Sequence, residues 1–203
     1  MKLFFLLYII TIFSYAQNTC TQKGIIDAMT PFSTEQGRKS PLIKAKININ
    51  EKDISPLLMQ KIPYLGFIGA HKKRLRIDFT VQKQGKRTYT MKGNTMVDKN
   101  ERTFEGNITI DTLYAFALPS YGVDDEYKGK VKEEGIVIAT YELKEDPKQS
   151  ATGVFKGKLF VKWYVDNKNR FLYDFIDNDS DGGAAEFMPT EKYYEYGWKN
   201  YTP

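Results

Sequence analysis

Residues 74–81, RLRIDFTV, alternate polar and apolar side chains without interruption. A period of two puts Leu75, Ile77, Phe79 and Val81 on one face and Arg74, Arg76, Asp78 and Thr80 on the other. That is the pattern of a strand with one dry and one wet face. Gln84-Gly85-Lys86 then carries turn chemistry, so the chain is predicted to return as a partner strand over 87–97. The basic run His71-Lys72-Lys73-Arg74-Leu75-Arg76 leads into this alternation and reads as a solvated strand edge, not a nucleic-acid patch.

Outward from this hairpin the same period recurs. Ile43, Ala45, Ile47 and Ile49 alternate with Lys44, Lys46, Asn48 and Asn50, which predicts a further half-buried strand. More strands are expected at about 102–117, 135–144, 154–165 and 170–176. They are separated by Asp98-Lys99-Asn100, Glu145-Asp146-Pro147 and Asp166-Asn167-Lys168-Asn169. One helix is expected near 55–62, with Ser55 as N-cap, Pro56 at the first helical position and Pro63 as its stop. A large apolar residue, a charge, Gly and a polar residue recur at Met91–Asn94, Phe104–Asn107, Tyr127–Lys130 and Phe155–Lys158. Such glycines let strands bend sharply or let a ring lie over them. The expectation is all-β: an antiparallel meander closing into a barrel, lipocalin- or avidin-like, or a strongly coiled sandwich. Its last strand would come from Tyr193–Trp198.

The N-terminus reads as an export signal. Met1-Lys2 is positive, residues 3–13 (LFFLLYIITIF) are apolar, and Ser14-Tyr15-Ala16 suits cleavage after Ala16. The apolar run is short for a membrane span, which needs roughly 20 residues, and no later segment of the mature chain resembles one. The expected organisation is a signal peptide over 1–16, a flexible leader over 17–40 and one domain over 41–203, secreted or periplasmic. Gln17-Asn18-Thr19 before Cys20 is a poor lipobox, so acylation of Cys20 is not expected. As the single cysteine it forms no intramolecular disulfide. The formal charge is +5, and Lys2 lies in the segment removed, so the balance is mildly basic.

Few residues carry chemistry. The sequence 177–183, DNDSDGG, opens like a calcium loop: Asp177, Asp179 and Asp181 take alternate ligand positions and Gly182 the sharp turn. Position twelve falls on Met188, and Glu186 is the nearest acid able to complete the set. A solvated acidic loop explains the same residues without Ca2+. With His71 and Cys20 each unique, His-rich metal sites and Cys–His pairs are excluded. Carboxylate-dependent glycan hydrolysis would have to draw on Asp124-Asp125-Glu126 and Glu133-Glu134. Tyr194, Tyr196 and Trp198 share one strand face, and Trp163 shares another with Phe155, Leu159 and Val161. Such stripes are usually core; the alternative is a ring-lined pocket for a small molecule or glycan.

Tyr141–Gln149, Gly153–Gly157, Trp163–Asp166, Ser180-Asp181-Gly182 and Gly197-Trp198 resemble a group of uncharacterised secreted bacterial proteins of β-barrel character. The resemblance covers the C-terminal third and implies the fold class and an extracytoplasmic setting, with no activity attached. The chain departs from that group at Ala184–Phe187, where members carry an Asn-rich aromatic segment. The functional expectation is a non-catalytic binding or interaction protein for a small molecule, glycan or partner protein. An inhibitor or immunity-type role through the 119–134 loop stands beside it, as does a structural calcium domain or a glycan hydrolase.

Overall fold

The computed structural model describes residues 23–33, 36–60, 64–69, 71–122, 125–174, 185–189 and 196–200, the last two stretches through their backbone. Helix α1 covers 23–29. Short strands β1 (Phe32–Ser33), β2 (Arg38–Lys39) and β3 (Leu42–Lys44) precede helix α2 (Ser55–Leu58). The long strands are β5 (Lys73–Lys83), β6 (Thr88–Val97), β7 (Asn100–Phe116), β8 (Val131–Glu145) and β9 (Val154–Asp166). β4 (Tyr64–Ile68), β10 (Phe171–Tyr173), β11 (Ala185–Pro189) and β12 (Tyr196–Asn200) complete a 10-stranded sheet.

Every pairing in this sheet is antiparallel. From β4 the ladder runs through β5, β6, β7, β8, β9, β11 and β12, and β12 pairs back onto β4. The expected all-β meander is thus strongly curled, and its pairings run in a closed circuit, which leaves no long edge among the described strands for another chain to extend.

Inside lies one core. Leu75, Ile77, Val81, Tyr89, Met91, Ile108, Tyr141, Leu143, Leu159 and Trp163 all point into it, as the period of two requires. Gly93 and Gly106 occupy inward positions where a Cβ would fall 2.0 Å from the Asp78 or Glu142 carbonyl oxygen. Only glycine permits that approach, and the sharp coiling of β6 and β7 follows from it. Ile49, Ile54, Leu57 and Leu58 are buried in the same core, and α2 touches β5, β9 and β10, so the segment 49–58 plugs one end of the barrel.

Several expectations are corrected. The strand over Ile43–Ile49 stops at Lys44: Asn48 Oδ1 accepts from the Asn50 amide (3.1 Å) and the Asn48 carbonyl from the Glu51 amide (3.0 Å). Turn formation by Asn outcompetes the ladder there. Ser55 does not cap α2; it is the first helical residue, and Asp53 Oδ1 accepts from its amide (2.9 Å) and its hydroxyl (2.7 Å). The last described strand is Tyr196–Asn200, which overlaps the expected Tyr193–Trp198 over 196–198; residues 193–195 lie outside the described residues. The stretch 17–40 expected to be a flexible leader is structured over its described part: Met29 of α1 is buried with Phe116, Ile136, Ile138 and Phe160, and Ile25 and Ile26 pack beside them. α1 therefore covers an apolar patch on the outer wall of β7–β9.

Candidate functional site

Trp163 is fully buried in the barrel interior, its ring 5.4 Å from that of Phe171. It packs as a core side chain, the first of the two readings its stripe allowed. Tyr196 and Trp198 lie on β12, opposite Ile68 and Gly66 of β4, and Glu186 lies on β11 opposite Phe160. Tyr194 and the acids Asp177, Asp179 and Asp181 lie outside the described residues. Among the described residues no three His, Cys, Asp or Glu side chains come together as a metal site.

Among the described residues large side chains occupy the interior: Trp163, Tyr89, Tyr141 and Met91 are all buried to within 1% of complete. Among the described residues, two grooves lie on the outer wall. A groove of about 730 Å³ crosses β5–β8, lined by Asp78, Phe79, Lys92, Asn94, Glu105 and Lys144 among others. A second, of about 640 Å³, adjoins it at Glu105 and Lys144 and continues to Asn107, Glu142 and Lys156. Apart from Phe79, which packs inward against Tyr64, these residues alternate with the core positions, so the strand period that builds the barrel also builds the groove.

The groove charges are paired across strands and, in β8, along one. Lys92 Nζ lies 2.8 Å from Glu105 Oε1, and the Glu142 carboxylate sits between Lys144 (3.0 Å) and Lys156 (3.3 Å). Hydrogen bonds from those two lysines hold the Glu142 carboxyl below its ordinary value. Exposed pairs of this kind are worth only about 0–1 kcal/mol, so their partners exchange at little cost. Farther along, a β-bulge after Ile110 turns Asp111 outward, where it binds Lys158 Nζ (2.8 Å) and Thr140 Oγ1 (2.9 Å).

A different electrostatic site lies under the loop 117–130. Lys162, outward-facing on β9, holds its ammonium 3.0 Å from Asp174 Oδ2 and 3.8 Å from Glu134 Oε1. Glu134 and Asp174 are 0% and 2% exposed and Lys162 is 8% exposed. Glu134 Oε2 also accepts from the Ser120 amide at 2.6 Å, which ties the loop to the wall. The Leu118 amide donates to Ser40 Oγ (2.8 Å) and the Asn167 amide to the Lys130 carbonyl (2.9 Å), fixing both ends of the loop. Nearby, Tyr127 packs edge-on against Tyr164 at 6.3 Å. Burial first, then the charges around it, push the Tyr164 hydroxyl up.

Of this cluster sequence reasoning singled out only Glu134, as a loop carboxylate, and missed Lys162 and Asp174. The signal was present: Lys162 interrupts the apolar run Leu159-Phe160-Val161-Lys162-Trp163-Tyr164-Val165, and Asp174 interrupts Phe171-Leu172-Tyr173-Asp174-Phe175-Ile176. A run apolar at successive positions is a strand covered on both faces, and a charge inside it must find a partner there.

No protein-family model, curated protein or solved structure matches this chain.

Proposed function

We propose that this chain is an exported binding protein without catalytic activity, and that it binds through the outer groove across β5–β8. The observation that carries this reading is the filled interior: a barrel whose lumen is occupied by Trp163, Tyr89 and Tyr141 serves as a scaffold, so ligand contact falls to its wall. The groove offers ammonium, carboxylate, amide and hydroxyl groups, while the ring of Phe79 at its floor packs inward against Tyr64. That mixture suits a neutral, polar, extended ligand such as a glycan or a peptide segment and gives a lipid chain no apolar channel. In the groove itself, Glu142 is exposed and its carboxyl is held below its ordinary value by two lysines, the reverse of a poised general acid. A protein partner contacting the 117–130 loop is the second reading, favoured by the hydrogen bonds that hold this loop in place, because preorganisation lowers the cost of binding.

The test is calorimetric titration of the mature chain with soluble oligosaccharides and short extended peptides, beside the variant Lys92→Glu/Lys144→Glu. Binding weakened at least about tenfold in the variant, a loss of roughly 1.4 kcal/mol, supports the groove. Binding unchanged in that variant but lost when residues 125–128 are replaced by glycine and serine moves the site to the loop.

A further inference from the structure

The buried cluster of Lys162, Asp174 and Glu134 is unexplained by surface binding, and its composition is specific. Asp174 and Lys162 are cross-strand neighbours one step beyond the Tyr173–Trp163 pair, and Lys162 stands opposite Ile136 on the other side. The ammonium nitrogen is 3.0 Å from the Asp174 carboxyl, with a second carboxylate 3.8 Å away. All three groups are withdrawn from water, and Ile136 and Phe160, in the same covered wall, belong to the apolar cluster beneath α1. A buried ion pair in such surroundings has given up the solvation its partners have in water, and the fold holds the amine nitrogen and the carboxyl group in contact.

The geometry points to a self-catalysed amide cross-link between Lys162 Nζ and Asp174 Cγ, with Glu134 as the proton shuttle. Glu134 takes a proton from the Lys162 ammonium, and the freed lone pair forms the N–C bond at Asp174 Cγ. Glu134 returns that proton to a carboxyl oxygen of Asp174, and a second proton from the same nitrogen reaches the same oxygen. The C–O bond breaks and that oxygen leaves as water. One ammonium and one carboxylate become one amide and one water; Glu134 ends as it began, and no oxidant or cofactor is consumed. Juxtaposition in the folded state supplies the effective concentration that an amine and a carboxyl group lack in solution. The product joins β9 to the residue after β10, a staple open to a chain whose single cysteine allows no intramolecular disulfide.

Intact mass spectrometry of the folded full-length mature chain, denatured only for measurement, reads this directly. The expected mass is lower than the sequence mass by one water, and proteolysis yields a branched peptide joining residue 162 to residue 174. Glu134→Ala and Lys162→Arg are each expected to restore the sequence mass. A wild-type mass equal to the sequence mass after prolonged incubation overturns the proposal and leaves an ion cluster. A water loss mapping to Asp181-Gly182, a pair open to cyclic imide formation, overturns it equally. The wild-type measurement decides the matter even where a variant fails to fold.

Discussion

The Tyr89 hydroxyl accepts a hydrogen bond from the Ile54 amide at 3.2 Å, so a wall residue of β6 holds the segment that plugs the barrel. Both residues are completely buried. Tyr89→Phe leaves that amide without its acceptor, and the expected cost is about 1–3 kcal/mol. A lowered urea midpoint with an unchanged slope checks it.

The same end of the barrel sets an alkaline limit. Tyr64 donates to the Leu58 carbonyl (3.1 Å); burial, then the neighbouring Tyr173, pushes its hydroxyl well above 10.0. Tyr89 is raised as well, chiefly by burial. A raised folded value means that the native state keeps its proton longer than the unfolded chain. The stability contribution is therefore complete below pH 10.0 and lost as pH rises through the folded values. Tyr64→Phe is expected to flatten that decline in melts run across the alkaline range.

Asp166 works in the opposite direction. Burial alone raises its carboxyl, but hydrogen bonds from the Arg170 amide (2.8 Å), the Arg170 guanidinium (2.6 Å) and the Lys168 amide (3.0 Å) outweigh it, and the net shift is below 3.8. Its contribution is present above 3.8 and lost as pH falls through the lowered value. Asp166→Asn should show a shallower acid decline than the wild type.

Glycine substitutions separate close approach from mere flexibility. Gly106→Ala drives a Cβ to 2.0 Å from the Glu142 carbonyl oxygen, whereas Gly153→Ala meets nothing within 4 Å. Expected losses are about 3 kcal/mol or more for the first and within about 0.5 kcal/mol for the second. Thermal melts of the two variants check the contrast.

Two lysines on β9 give a matching contrast in charge. Lys162→Met removes the nitrogen that joins the buried Asp174 and Glu134, whether as ion pair or as amide, an expected loss of about 3–5 kcal/mol, whereas Lys158→Met, at the half-exposed Asp111, is expected to lose about 0–1 kcal/mol. Denaturant titration distinguishes them.

What was legible in the sequence follows from where the period of two survives. β5, β6 and the start of β7 have one wet face, and their alternation located them to within a residue or two. Residues 134–139 of β8 and 159–163 of β9 are buried on both sides, because α1 and the 117–130 loop cover their outer face. Alternation vanishes there, and with it the sign that Lys162 faces outward. β4 is short, carries Gly66 and follows a proline, so propensity gave it no voice; its partners β12 and β5 fix it by pairing. The groove was illegible for another reason: Lys92, Glu105 and Lys144 are ordinary solvent-facing residues until register aligns them.

The central claim is that the barrel interior is filled and the outer wall does the binding. The most direct test is an amide NMR titration of the mature chain with the ligand that calorimetry identifies. The account predicts shifts concentrated at Thr80, Lys92, Asn94, Glu105 and Lys144, with the amides of Tyr89, Tyr141 and Trp163 unmoved. Shifts centred on Trp163 and Tyr141, with the groove unchanged, would place the ligand inside the barrel and contradict it.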